Sequence, residues 1–135
     1  MNSFSIPTIT GESGHNEIIA AIEPAQDTGD GPENGAGVIG QFGDVALYSH
    51  FQPIFSLSHR RIIGHEALMR GRNRQGNPVP PLELLSQANQ VPATLQHLDR
   101  LARAVHLRNF AAQSEADGWL FVNMSPDVFL NGPRL

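Results

Sequence analysis

The stretch Ile62-Ile63-Gly64-His65-Glu66-Ala67-Leu68-Met69-Arg70 decides how this chain reads. It is apolar apart from His65, Glu66 and Arg70, and it opens on β-branched residues, so it predicts a strand. Glu66 stands near the end of that apolar run. A carboxylate removed from water is costly unless it is paired, protonated or bound to a cation. Two readings follow: a hard-metal ligand at a strand end, or a glutamate paired to an arginine. With a period of two, Glu66, Leu68 and Arg70 face one way and His65 the other. Arg70 is then placed either to grip a phosphate in bidentate fashion or to pair with Glu66.

Upstream, Phe51-Gln52-Pro53-Ile54-Phe55-Ser56-Leu57 predicts a first strand, joined to the second by the polar turn 58–61. Pro53 places that strand's start or an edge there. Gln52 is either a donor to a nucleotide or a polar residue leading into the strand. Downstream, Gly71 to Pro81 reads as a loop. Helices are predicted over about Leu82 to Gln90 and Ala93 to Ser114, the first helped by the Pro80-Pro81 pair. Leu95, Leu98, Leu101, Ala102, Val105 and Phe110 recur at spacings of three and four and make one apolar stripe on the longer helix. Trp119 to Ser125 predicts a third strand, closed by Pro126. Asn123 interrupts it, either as a carbonyl ligand to a divalent cation or as a residue ending the strand. The order strand, strand, helix, helix, strand predicts an α/β fold with both sheet faces covered.

Residues 1–47 read differently. They hold seven acids and no arginine, and the run from Thr28 to Gly37 is dense in glycine, proline and asparagine. Such sequence offers little apolar surface to offset ordering entropy, so it predicts a disordered tail. A short helix over Asn16 to Ile22 is the one element suggested within it. Residues 48–135 hold nine arginines and six acids, a local charge of +3 that suits an anionic ligand or an ordinary solvated surface. There is no cysteine, which excludes disulfides and thiolate metal sites and leaves oxygen or imidazole ligands. There is no lysine. His59, His65, His97 and His106 have no partner at metal-ligand spacing and read as structural or surface residues. No apolar run approaches the roughly 20 residues of a membrane span, and the first residues carry no secretory pattern, which predicts a soluble, cytoplasmic chain.

Taken together, residues 48–135 resemble the amino-terminal part of an EAL domain. The resemblance rests on Glu66-Ala67-Leu68-Met69-Arg70, with Phe51-Gln52-Pro53-Ile54 upstream and Pro80, Leu98-Asp99 and Val122-Asn123-Met124-Ser125 downstream. It implies a TIM-like barrel with its site at the carboxyl ends of the strands. It implies hydrolysis of one phosphodiester bond of cyclic di-GMP to linear pGpG. Glu66 and Asn123 would be ligands to magnesium or manganese, and Gln52 and Arg70 would contact the dinucleotide, Arg70 at a phosphate. No DNA, RNA or membrane partner is expected; association with itself or with EAL proteins is, because part of a barrel exposes open sheet edges.

Two departures stand out. Gly71 replaces an aromatic residue that the family carries after the motif arginine, which implies a looser substrate wall. A barrel of this kind takes roughly 250 residues. The family's later Glu-Xaa-Xaa-Glu pair, Asp-Asp pair, lysine and last glutamate have no counterpart after Asn123, where Asp127 is the single acid. The expectation is therefore an incomplete barrel of about three strands and two helices, inactive by itself. The alternative is a non-catalytic module that binds cyclic di-GMP or a protein partner.

Overall fold

The computed structural model describes residues 4, 5, 7, 21–24, 37–113 and 117–131. Six strands form one sheet: β1 (Ile22–Pro24), β2 (Val38–Phe42), β3 (Val45–Ser56), β4 (Arg61–Arg72), β5 (Pro78–Val79) and β6 (Trp119–Val122). Three helices accompany them: α1 (Pro81–Ala88) and α2 (Pro92–Ala112) lie between β5 and β6, and α3 (Pro126–Asn131) follows β6.

The architecture is α/β, with a mixed sheet. Strands β1 to β5 pair in sequence order, all antiparallel. The return through α1 and α2 brings β6 back parallel to β4, with Gly64 opposite Trp119 and Ala67 opposite Val122. Parallel pairing requires a long crossover, and two helices supply it. β5 pairs with Gly71 and Arg72 while β6 pairs with residues 64–67, so Leu68 to Arg70 pair with neither and leave a gap in that edge of β4.

The two longer helices start where proline permits. Pro81 and Pro92 occupy first-turn positions, where a missing N–H costs nothing. The stripe on α2 becomes the core: Leu95, Leu98, Leu101 and Val105 are buried with Leu84 and Ala88 of α1 and Phe42, Val45 and Leu47 of the sheet. Among the described residues α1 and α2 lie over one sheet face. Ser49, Phe51 and His65 meet His106 and Phe110 there. The other face carries Gln52, Glu66 and Arg70, with Trp119 71% and Phe121 48% exposed. The expectation that both faces are covered is corrected accordingly.

The tail expectation also needs correction. Residues 38–47, expected to be disordered, are β2 and the start of β3, and Phe42 and Val45 are fully buried. Phe4 and Ile22 pack against the core, Asp44 N–H donates to the Ser5 carbonyl at 2.9 Å, and Gln41 N–H donates to the Ala21 carbonyl at 2.7 Å. The helix expected over 16–22 lies mostly outside the described residues, and Ile22 itself opens β1. Six strands stand where three were expected, because β1 and β5 are too short to show a period and β2 is masked by glycine-rich neighbours. The third strand, expected to run from Trp119 to Ser125 up to Pro126, ends at Val122, and Pro126 instead starts α3, whose Phe129 N–H donates to the Ser125 carbonyl at 3.0 Å.

The crossing of β4 and β6 is tight. A Cβ on Gly64 would run into the Trp119 carbonyl oxygen, and one on Gly118, at φ +84°, into the Ile63 carbonyl oxygen. Backbone oxygen cannot yield as a side chain can, so the strands themselves would have to part. Gly64→Ala is expected to cost about 1–3 kcal/mol, the range of overpacking changes. It should also separate Asn123 from Glu66. Urea unfolding checks the first effect and the nuclear magnetic resonance shifts of β6 the second.

Candidate functional site

Glu66 is the centre of the arrangement. On one side it stands directly opposite Gln52 of β3, and on the other opposite Phe121 of β6. Directly opposed residues on adjacent strands project from the same face. Gln52 and Glu66 therefore share the face that no described helix covers. Asn123 lies two residues beyond Phe121, at the carboxyl end of β6, and its Nδ2 donates to Glu66 Oε1 at 3.0 Å. The half-buried carboxylate is thus partnered by an amide, and the Glu66–Asn123 pair spans 57 positions of sequence.

Arg70 is on the same face of β4 but four residues further on, which is roughly 13 Å along a strand. Among the described residues it makes no ion pair with Glu66. Its Nη1 donates to the Met69 carbonyl at 3.0 Å, and the side chain is exposed. An exposed guanidinium held only by a neutral carbonyl keeps donors free for an anion. The reading of Arg70 as a simple partner of Glu66 is removed by this geometry.

A cleft of about 550 Å³ opens at the unpaired edge of β4. Its apolar wall includes Leu68, Leu82 and Leu98, and its polar groups include Arg70, Asp99 and Asn123. The cleft thus joins the arginine to the asparagine. Gly71 takes no part in it. Its side-chain direction points into the core, where a Cβ would meet Leu84 Cδ1 at 2.9 Å and Val45 Cγ1 at 3.1 Å. The expected loosening of the substrate wall is therefore corrected: Leu84 fills the space on the opposite side of the strand.

Hard divalent cations such as magnesium and manganese take oxygen ligands, about six of them. The Glu66 carboxylate fits that chemistry. The Asn123 carboxamide fits as well, since rotation about its terminal torsion presents the oxygen where the nitrogen now lies. The fit is partial: no group of three or more His, Cys, Asp or Glu able to hold a metal occurs among the described residues. Three described histidines are engaged elsewhere. His97 stacks on Phe42, His65 faces Phe110, and His59 bonds Ser56.

In the sequence Asp99 stands out only within the Leu98-Asp99 pair. It is buried at the floor of the cleft, where its Oδ1 accepts the Ser125 N–H at 3.0 Å. Its Oδ2 accepts Arg103 Nε at 2.9 Å. The available signal was the acid-to-arginine spacing of four on a helix, which puts the two on one face.

No described helix is long and apolar enough to cross a membrane. No curated protein and no solved structure matches the chain. A family model, the EAL domain, matches residues 42–133, a span that contains Gln52, Glu66 and Arg70 on the sheet and Asn123 just past β6, and the chain belongs to the EAL domain family.

Proposed function

We propose that residues 1–135 supply the first part of an EAL phosphodiesterase site that hydrolyses cyclic di-GMP to linear pGpG. The observation that carries the reading is the Glu66–Asn123 pair at 3.0 Å, brought together by the parallel β4–β6 pairing, with Asn123 just past the carboxyl end of β6 and Glu66 midway along β4. Active sites of barrels lie at the carboxyl ends of the strands, where Asn123 stands. The unit β4–α1–α2–β6 is of the kind from which such barrels are built, and it supports the reading of an incomplete TIM-like barrel.

In this reading Glu66 and Asn123 hold magnesium or manganese, which when bound supplies an attacking hydroxide and stabilises the leaving oxygen. Gln52 orients the dinucleotide beside Glu66. Arg70 binds a phosphate through its free donors. The cleft wall of Leu68, Leu82 and Leu98 gives a base an apolar surface away from water. Two oxygen ligands do not complete a hard-metal site, so hydrolysis by residues 1–135 alone is not expected. The setting would be cytoplasmic signalling.

That same incompleteness favours a second reading, in which the chain binds cyclic di-GMP without cleaving it. Arg70→Ala tests the part the two readings share. Loss of a charge-assisted hydrogen bond costs about 1.5–3 kcal/mol, or roughly 10–150-fold in affinity. Calorimetric titration of cyclic di-GMP into the protein and the variant should show that loss, and equal affinities would refute the role of Arg70. Product analysis after incubation with cyclic di-GMP and manganese separates the readings, because linear pGpG requires a completed site. Association with EAL proteins would run through β6, whose Trp119 and Phe121 are exposed beside an open edge. Sedimentation at rising concentration should show self-association, and an unchanging monomer would count against it.

A further inference from the structure

Asn123 is placed on no regular element of its own. It follows the last residue of β6 and precedes α3, so nothing in the sheet ladder holds its backbone. Yet its amide meets Glu66 at 3.0 Å. The constraint comes from α2. Asp99 has a side chain only 8% exposed, and Arg103, four residues on, holds its Oδ2 through both Nε and Nη2 at 2.9 Å. That grip leaves Oδ1 aimed at the chain leaving β6, where it accepts the Ser125 N–H at 3.0 Å. A buried carboxylate with one oxygen bound by a guanidinium and the other by a backbone N–H is fully committed, and a committed group is a rigid one. The anchor is two residues from Asn123, within the same short segment. Ser125 also accepts the Phe129 N–H, so the anchored residue begins α3 as well.

We infer that Asp99 is a positioning residue for Asn123: clamped by Arg103, it fixes the Ser125 backbone and so sets the Asn123 carboxamide against Glu66. This inference rests on the proposed role of the Glu66–Asn123 pair only for its functional meaning; the positioning itself is a property of the fold. Without the clamp, the segment 123–125 would be tethered only at β6 and α3, and Asn123 would lose its fixed approach to Glu66.

The test uses the full chain labelled with nitrogen-15 and three proteins: the parent, Asp99→Asn and Asp99→Ala. The side-chain amide of Asn123, assigned by its disappearance in Asn123→Asp, is the readout. In the parent it should give two well-separated proton signals set by the bond to Glu66. In Asp99→Ala those signals should collapse to the positions of an exposed asparagine, and the Ser125 amide proton should move upfield. Asp99→Asn keeps an oxygen that can accept the Ser125 N–H, so it should restore part of both shifts. A merely structural role for Asp99 would not produce that graded rescue while the amides of β3 and β4 stay in place. Asn123 signals unchanged in Asp99→Ala would overturn the inference. So would a loss of the Ser125 shift without any change at Asn123. If Asp99→Ala unfolds, Asp99→Asn alone decides: unchanged Asn123 signals with an altered Ser125 amide overturn the inference, and a partial, joint shift supports it. Manganese added to the parent tests the metal reading separately. No broadening at Glu66 and Asn123 would sink that reading and leave the positioning result standing.

Discussion

Replacing Phe42 by alanine is expected to lower the unfolding free energy by about 3–5 kcal/mol, the range for removing a buried aromatic ring. Phe42 ends β2, is fully buried, and stacks on His97 with ring centroids 6.0 Å apart. It stands opposite Val45, which is also fully buried, across the β2–β3 turn. Its removal leaves a cavity under α2, not a solvated gap, because Leu98 and Leu101 are too tightly packed to follow it. Domains have a total stability of about 5–15 kcal/mol, so this one change consumes a large part of it. Urea unfolding followed by circular dichroism is the suitable measurement. Trp119 is 71% exposed at the sheet edge, so its fluorescence reports poorly on the core. Phe55, 56% exposed on β3, provides the comparison, and Phe55→Ala should change stability little. Equal effects of the two substitutions would show that β2 is not part of the cooperative core.

The second large effect is on pH. Burial lowers the pKa of His106 from 6.5 to about 4. The ring is 4% exposed, and its Nδ1 lies 2.7 Å from Ser49 Oγ. Ser49 also accepts Asn109 Nδ2 at 3.0 Å, so its hydroxyl links the ring to Asn109. Asn109 in turn bonds both the N–H and the carbonyl of Val38, at 2.7 and 3.0 Å, and thereby ties α2 to β2. The unfolded chain binds a proton at His106 near pH 6.5, whereas the folded chain resists until about pH 4. Stability from the neutral ring is therefore fully present above pH 6.5 and is lost as pH falls toward 4. The loss amounts to at most roughly 3–4 kcal/mol. His106→Gln keeps an acceptor toward Ser49 and cannot take up that proton. Its unfolding free energy should fall less steeply between pH 6.5 and 4 than the parent's. Parallel pH profiles for the two proteins would rule His106 out as the source.

These two expectations involve parts of the chain that are unequally legible in the sequence. Phe42 falls in the span whose acidic, glycine-rich composition predicts a tail. A five-residue strand flanked by such sequence has too few positions to display a period, and its burial depends on α2, which lies more than fifty residues away. His106 was set aside as a structural histidine, which its bond to Ser49 agrees with, but the depth of its burial is a property of the packed helix.

The sequence by itself determined the second half of β3 and nearly all of β4 from their apolar, β-branched runs, α1 from its proline start, α2 from the leucine stripe, and the return of a strand at Trp119. Local pattern suffices for those, because each element's period is written in consecutive residues. It also marked Gln52, Glu66, Arg70 and Asn123, since polar groups inside strand sequence demand a reason. Only the tertiary structure decided that Glu66 meets Asn123 instead of Arg70, because strand rise holds Arg70 away while parallel pairing of β4 with β6 brings Asn123 close. Only it turned Gly71 toward Leu84 and joined Asp99 to Ser125. Contacts between residues 26 and 57 positions apart depend on how helices and strands stack, and no local period encodes that.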